Sequence, residues 1–489
     1  MNRHEGKPEW ERIWPGDPQV CLLLGRQQPP APEGRIRGSR FVYSLYTEGR
    51  YLLFHTLTRQ LIAVEPQLIA WFSGDRSFPA SVLEEASPAR LYGDFFLVPE
   101  ETEEDRLYLE LKDILVLREE LPRDIVQYVI LPTTACNARC FYCFEQGMRY
   151  RSMDAGTVED TVRFIRQHRP ADSRAIRIHW FGGEPLCAAD NIDRICAGLV
   201  EAGIDYTAEM TSNGSLFTEA LVRKAREMWK LDEIQITLDG MAEEYARRKR
   251  YAGTVKDPFG TVIRNVHRLL AGGIRVTVRL NVDENNLGEI YRVAAYLTEE
   301  FPEEERKKMR VYAHSLFGEL SDGPGACPVD AGTEALEARV LEVNDYLRRL
   351  GLIRYDLDTL FRLKSHYCMV TAPECNVLID AEGRLFACDA MPDSMRYGDV
   401  RTGIDPEAWK RVAAPCGVSP ECRRCVFLPQ CTDFSRCPSR VACDSCRRIE
   451  KMKLDRDLRA AWALHREAQA RQRAEAEAEG RKEAPRVSD

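Results

Sequence analysis

The sequence predicts an α/β protein: a partial (β/α)6 barrel of the TIM type, with a small α+β module before it and a cysteine-rich domain after it. Three observations predict this. Between about residues 124 and 318, six β-prone runs alternate with five amphipathic helical patterns, the arrangement of βα units on a parallel sheet. Short strand-like runs at 41–46, 51–56 and 61–64, joined by tight turns, stand ahead of that region. Behind it, ten of the 17 cysteines fall between Cys368 and Cys446.

Taken in order, residues 1–36 are rich in Pro, Gly and Arg, with Pro29-Pro30-Ala31-Pro32 near the end, and read as a flexible arm. Residues 37–122 hold the meander and an apolar helical pattern at Pro66–Phe72, enough for a small independent module. The barrel, 123–318, has candidate strands at 125–131, 175–181, 206–211, 233–238, 274–282 and 310–316. Its helical patterns fall at 155–168, 191–202, 219–230, 259–270 and 288–301. Six strands are too few for a closed eight-stranded barrel, and reactive groups in such folds gather at the C-terminal strand ends. Residues 319–365 connect the barrel to the cysteine-rich domain through Asp322-Gly-Pro-Gly325 and a helix around 333–350. The cysteine-rich domain spans 366–450. An Arg/Ala/Glu-rich tail, 451–489, reads as a solvated helix fraying into a disordered end.

At 489 residues the chain suggests two or three domains, and 44% hydrophobic residues is ordinary for a globular protein. The net charge, 69 − 77 = −8 with signs interspersed, leaves no footprint for nucleic acid or an anionic membrane. The polar start Met1-Asn-Arg-His-Glu lacks the apolar core of a secretory signal, and no apolar run is long enough to span a bilayer. The expectation is a cytoplasmic protein with no nucleic-acid and no membrane partner. Thiols stay reduced in that compartment, so the cysteines read as metal or cluster ligands. Cys21, Cys187, Cys196 and Cys327 are scattered and read as small buried hydrophobes.

Directly after the first barrel strand comes Thr134-Ala-Cys136-Asn-Ala-Arg-Cys140-Phe-Tyr142-Cys143-Phe-Glu145. Three thiolates spaced C-x3-C-x2-C in one loop can hold three irons of a [4Fe–4S] cube, and no fourth cysteine follows at ferredoxin spacing. One iron would keep open coordination positions, where chemistry takes place. This spacing, with Tyr142 before the last cysteine, resembles the radical S-adenosylmethionine (SAM) superfamily. The resemblance implies that the free iron chelates the amino and carboxylate groups of SAM. It also implies reductive cleavage of SAM to a 5′-deoxyadenosyl radical that removes hydrogen from an unactivated C–H bond. The protein's share would be orientation, electronics and exclusion of competing reactions.

The second strand ends in Gly182-Gly183-Glu184-Pro185. Two glycines allow close backbone approach and a fixed carboxylate suits an ammonium group, although alone the run is only a strand-to-turn signal. One βα unit after the cysteine loop, it resembles the superfamily motif that contacts the SAM amino group. The third strand ends Thr211-Ser212-Asn213-Gly214 and the fourth Ile236-Thr237-Leu238-Asp239-Gly240. Either could be a plain tight turn. Both resemble motifs of the peptide-modifying branch, which assigns Ser212, Asn213 and Thr237 to the SAM ribose and carboxylate. The same resemblance expects an arginine for the carboxylate soon afterwards: Arg250, with Arg248 as the alternative. Arg279 and Asn281 share one face of the fifth strand.

The second cysteine field comprises Cys368, Cys375, Gly383-Arg-Leu-Phe-Ala-Cys388-Asp389, Cys416, Cys422, Cys425, Cys431, Cys437, Cys443 and Cys446. In isolation, paired C-x2-C elements read as zinc sites. Behind a radical SAM barrel, the field resembles the SPASM extension, which binds two auxiliary [4Fe–4S] clusters. The resemblance implies Cys368, Cys375, Cys388 and Cys437 for the first cluster. For the second it implies Cys422, Cys425, Cys431 and Cys446, with Cys443 as the alternative last ligand. Five residues separate Cys431 from Cys437, where the family has three. Ten cysteines exceed the eight that two fully ligated cubes need, which favours an electron relay over substrate ligation. Asp389 stands where anaerobic sulfatase-maturating enzymes carry a proton-accepting aspartate. A raised carboxylate pKa beside a cluster would suit a general base, the plainer alternative being a hydrogen-bonded turn acid.

The resemblance covers about residues 124–448. It implies a radical SAM/SPASM oxidoreductase acting on a precursor peptide or protein, making a thioether or carbon–carbon cross-link in a ribosomally synthesised peptide. It also implies a low-potential electron donor such as ferredoxin or flavodoxin. The 41–64 meander resembles leader-peptide recognition modules, which add a peptide strand to a sheet edge, and it could equally cap the barrel. The alternatives are formylglycine formation by a sulfatase-maturating activity and a zinc-binding scaffold without radical chemistry.

Overall fold

The computed structural model describes residues 10–27, 34–72, 76–118, 124–143, 149–171, 174–253, 255–316, 331–353, 360–363, 375–388, 393–413, 422–430 and 443–483. Six parallel strands form its centre: Gln127–Ile130, Ile176–Trp180, Tyr206–Ser212, Leu231–Leu238, Arg275–Val282 and Met309–Ser315. Each pairs with its neighbour in sequence. The helices Ala155–His168, Ala189–Glu201, Glu219–Glu227, Pro258–Ala271 and Leu287–Glu300 connect them. Asp154 starts the first of these, its carboxylate accepting the Thr157 amide at 2.7 Å, and Asp257 caps the helix that opens with Pro258.

Parallel crossovers are right-handed, so strands laid side by side in sequence order place every connecting helix on the same face of the sheet. That face is apolar: Ile176, Ile178, Trp180, Ile234, Ile236, Val278 and Leu280 are fully buried, in one cluster with Phe164, Ile165, Ile192, Ile195 and Leu199 from the helices. The alternate residues form the concave face. They include Arg177 and His179, Glu209 and Thr211, Glu233, Gln235 and Thr237, Arg279 and Asn281, and Arg310, Tyr312 and His314. A closed barrel would fill this face with Val, Ile and Leu. Here it is polar.

The sheet does not stop at the first strand. Asn376–Ile379 lies parallel to the first strand on its other side, followed by Arg384–Phe386, Gly398–Asp399 and Gly403–Ile404 in antiparallel order, ten strands in an open row. The first elements of the cysteine-rich region therefore extend the barrel sheet. The predicted α/β class and six-stranded partial barrel agree with this architecture.

The N-terminal module is built on a four-stranded antiparallel sheet, ordered Trp10–Trp14, Leu61–Val64, Arg50–His55, Val42–Thr47. Glu48 and Gly49, both at positive φ, close the last hairpin in a two-residue turn. One face packs on Leu68, Leu91, Tyr92 and Phe96. The other packs on Phe361, Phe427, Leu454, Leu458 and Trp462.

Two expectations need correction. Residues 10–27 are not a flexible arm: Trp10–Trp14 is a strand and Pro18–Gln27 a helix that buries Val20 and Leu24. Trp14 stacks on Phe361 at 4.4 Å, and Arg90 lies over the Trp10 ring. The aromatics outweigh the local Pro and Gly because their partners lie far along the chain. Nor is the C-terminal helix, Cys443–Glu483, solvated throughout, since Leu454, Leu458 and Ala461 bury against the N-terminal sheet.

Candidate functional site

The cysteine loop leaves the first strand and is held by its own backbone. The Thr133 hydroxyl donates to the Arg151 carbonyl at 2.8 Å, and the amides of Thr134 and Ala135 donate to the Arg151 carbonyl and to Thr133 Oγ1. The turn after the second strand then docks on it. The Gly183 amide donates to the Thr133 carbonyl at 3.2 Å, and the Glu184 amide to the Ala135 carbonyl at 2.9 Å. A Cβ on Gly182, whose φ is +117°, would stand 2.3 Å from the Thr133 oxygen. One on Gly183 would stand 2.6 Å from the carbonyl oxygens of Thr134 and Ala135. Only glycines permit this approach.

The Glu184 carboxylate is fully buried and faces inward to the fold. It accepts from the Leu186 amide at 3.2 Å, from Ser212 Oγ at 2.9 Å and from the Asn213 amide at 2.8 Å. Burial pushes its pKa up to about 7 against the pull of those donors. Pro185 opens the short 3₁₀ turn Pro185–Ala188. Asn213 in turn reaches the loop: its side-chain Nδ2 donates to Asn137 Oδ1 at 2.7 Å and lies 4.0 Å from Cys136 Sγ.

A third tie runs through Tyr142. Its hydroxyl donates to Asp239 in a short hydrogen bond and accepts from Lys249 Nζ at 2.7 Å. Lys249 Nζ also donates to Thr237 Oγ1 at 2.5 Å and lies 3.1 Å from Asp239. Asn281 Nδ2 donates to Asp239 Oδ1 at 3.0 Å, and Arg279 Nε donates to Asn281 Oδ1 at 2.9 Å. Burial alone would lower the Lys249 pKa, but Asp239 beside it holds the ammonium well above its ordinary value.

Tyr142, Gly182, Gly183, Glu184, Pro185, Ser212, Asn213 and Thr237 thus meet around one loop. Arg250 lies apart from them, exposed just past the helix Ala242–Lys249 with a left-handed backbone. Arg248 is buried but turned to Asp283 at 2.6 Å and to the Phe141 ring. Lys249 is the cation that points into the group, and sequence reasoning passed over it. The available signal was its phase: Tyr245, Arg248 and Lys249 share the buried stripe of their helix, where a lysine needs a partner.

Cys136, Cys140 and Cys143 take part in no disulfide and are partly open, and the Ala138 amide donates to Cys136 Sγ at 3.3 Å, as suits a thiolate ligand. Each iron of a cube takes one thiolate, so three ligands need not converge on a point. Accordingly, no three His, Cys, Asp or Glu side chains among the described residues stand close enough to hold a single ion. The donor set fits a cube with one protein-free iron. Cys375 is buried and its carbonyl accepts the amides of Val126 and Gln127, at the opposite end of the first strand from the cysteine loop. Continuing the hairpin register sets Cys388 opposite Asn376, beside Cys375. Cys422 and Cys425 flank a 3₁₀ turn next to the N-terminal module. Cys368, Asp389, Cys431 and Cys437 lie outside the described residues, and Cys446 falls in the first turns of the C-terminal helix, its side chain undescribed. No helix among the described residues is long and apolar enough to cross a membrane.

Comparison with known proteins follows the same lines. The family described as the radical SAM superfamily matches residues 130–297. Fe-coproporphyrin III synthase of Methanosarcina barkeri (strain Fusaro) is 26% identical over 168 residues, 34% of this chain and 40% of that protein. The serine-type anaerobic sulfatase-maturating enzyme of Klebsiella pneumoniae is 30% identical over 116 residues, 22% of this chain and 29% of that enzyme. The chain thus spans less than half the length of these curated relatives. Native anSMEcpe with bound AdoMet has a similar fold, with a TM-score of 0.55 at 16% identity over 69% of this chain and 100% of that one. Cysteine loop, strand-end turns, fold and family match agree: over residues 130–297 this chain carries a radical SAM superfamily domain.

Proposed function

We propose that this chain is a radical SAM oxidoreductase that modifies a side chain of a peptide or protein, with maturation of a ribosomally synthesised peptide as its specific task. The observation that carries the reading is one loop with three cysteines in no disulfide, hydrogen-bonded to the turns ending the second and third strands and, through Tyr142, to the polar groups ending the fourth and fifth. When bound and reduced, a [4Fe–4S] cluster with SAM supplies a radical able to take hydrogen from a C–H bond.

The chain's residues do the placing. Cys136, Cys140 and Cys143 hold the cluster. Glu184 fixes Ser212 and the Asn213 amide, so that these strand-end groups and Thr237 are aimed where SAM would lie. Lys249, rather than Arg250, brings positive charge closest to that place. Cys368, Cys375, Cys388 and Cys437 would hold one auxiliary cluster, and Cys422, Cys425, Cys431 and Cys446 the other. Asp389 would accept a proton beside the first, and a low-potential donor such as ferredoxin or flavodoxin would deliver electrons. The N-terminal module would dock the peptide: Val42–Thr47 and Trp10–Trp14 are the two edges of its sheet among the described residues, and the peptide would add a strand beside Val42–Thr47.

The test is anaerobic incubation of the reconstituted protein, SAM and a reductant with the short peptides encoded beside its gene, followed by mass spectrometry. Loss of a hydrogen pair with a new thioether or carbon–carbon bond is expected. A product that instead reacts with hydrazines as an aldehyde would mean formylglycine formation, and unchanged peptides would refute the peptide assignment.

A further inference from the structure

The concave face of the barrel sheet carries more positive than negative charge. Arg177, Arg275, Arg279 and Arg310 stand on it against Glu209 and Glu233. Both carboxylates are already engaged: Glu209 accepts from His179 at 3.0 Å, and Glu233 accepts from Thr277 at 2.7 Å and faces Arg275 at 3.3 Å. The other three arginines stand within ion-pair distance of no carboxylate among the described residues, although Arg177 acts on Glu209 from further away. Arg279 donates to Asn281, Arg310 lies over the Tyr312 ring, and Arg177 and Arg310 are exposed.

A guanidinium presents a rigid fork of donors suited to carboxylate or phosphate. Leaving three of them unpaired on a concave, polar surface is what an anionic ligand would require. Their spacing chooses between the two anions. Arg177 on the second strand and Arg310 on the sixth are separated by four strand intervals, roughly 19 Å along the sheet. A single phosphate chain needs its cations close together, whereas an extended peptide can set one carboxylate against each.

We propose that the segment entering the barrel is an acidic peptide, its Asp or Glu side chains paired with Arg177, Arg279 and Arg310. This rests on the peptide-modifying reading and names the substrate class for the same cavity. Binding needs no turnover, so it can be tested apart from the chemistry. The probe is a fluorescein-labelled peptide of about ten residues alternating Glu and Gly, with Gln/Gly and Lys/Gly peptides as controls. Each is titrated by anisotropy into the anaerobically reconstituted protein with SAM.

The Glu peptide should bind about tenfold or more tighter than the Gln peptide at low salt, and the margin should shrink as salt rises. The double variant Arg177→Gln/Arg310→Gln should remove the margin while keeping the iron content and the SAM-dependent change in the cluster's EPR signal. Three results would each overturn the proposal: equal binding of all peptides; a margin that survives in the variant; or complete displacement of the Glu peptide by equimolar inorganic tripolyphosphate, which would mark a phosphate site. A variant that keeps the margin but shifts an auxiliary-cluster potential would assign the arginines to that cluster instead. Absence of SAM cleavage, by contrast, would strike the enzymatic reading and leave the binding result standing.

Discussion

The Lys249 ammonium lies 2.7 Å from the Tyr142 hydroxyl and 3.1 Å from the Asp239 carboxylate, so a lysine at the end of one helix holds the loop that carries the three cysteines. Asp239 is fully buried. Lys249→Met would leave that carboxylate without its cation and should cost about 3 kcal/mol of stability. Adding Asp239→Leu should recover part of the loss, because two apolar groups replace a broken pair. Denaturant unfolding of the single and double variants checks this, and a double variant less stable than Lys249→Met would contradict it.

Gly182 holds a φ of +117° with the Thr133 carbonyl oxygen 2.3 Å from where its Cβ would stand. Gly182→Ala should therefore be destabilised by about 2–3 kcal/mol and should push the second-strand turn off the cysteine loop. Iron per chain after reconstitution should fall together with the melting temperature. Retention of both would mean the turn does not support the loop.

His55 is buried in the N-terminal module, between Phe41 and Phe96, and its Nδ1 accepts the Thr58 amide at 3.1 Å. Burial pulls its pKa down to about 3. The unfolded residue, near its ordinary 6.5, takes up a proton that the folded one refuses. The stability from the neutral ring is therefore complete above pH 6.5 and lost as the pH falls, by about 1.4 kcal/mol per unit. The hydrogen-exchange protection factors of strand Arg50–His55, taken relative to the intrinsic rate at each pH, should fall between pH 6.5 and 5 in the wild type and much less in His55→Gln. An equal fall in both would exclude His55 as the cause.

The hairpin register makes Thr47–Arg50, Leu45–Leu52 and Tyr43–Phe54 the hydrogen-bonded pairs, which leaves the amides of Ser44 and Tyr46 facing outward on the open edge. Tyr46 is 54% exposed there. Ser44→Pro removes one outward donor and should leave the fold intact, since proline is tolerated on an edge. Precursor-peptide affinity should drop several-fold while iron content stays unchanged. Unaltered affinity would place recognition elsewhere.

The barrel was legible because its signal is local. Strands such as Ile176–Trp180, Tyr206–Ser212 and Met309–Ser315 alternate buried and more open residues, and the turns at 182–183, 213–214 and 239–240 carry Gly, Asn or Asp. Trp10–Trp14 was not, because its partner Leu61–Val64 is some fifty residues away and a five-residue strand beside Pro and Gly has no pattern of its own. The cysteines and the turns at 182–185, 212–214 and 237–240 were readable as motifs. What each side chain touches was not. Glu184 offered a carboxylate to an imagined ligand yet serves Ser212 and the Asn213 amide, and the choice between Arg248 and Arg250 left out Lys249, which only helix phase and a buried acid far along the chain could identify.

The central claim is that the loop at Cys136, Cys140 and Cys143 holds a cluster that cleaves SAM. The direct measurement is formation of 5′-deoxyadenosine and methionine by the anaerobically reconstituted, dithionite-reduced protein. The account predicts a brown, iron- and sulfide-containing protein that forms both, and loss of both products when the three cysteines are changed to alanine. A colourless, zinc-loaded protein that leaves SAM intact would contradict it.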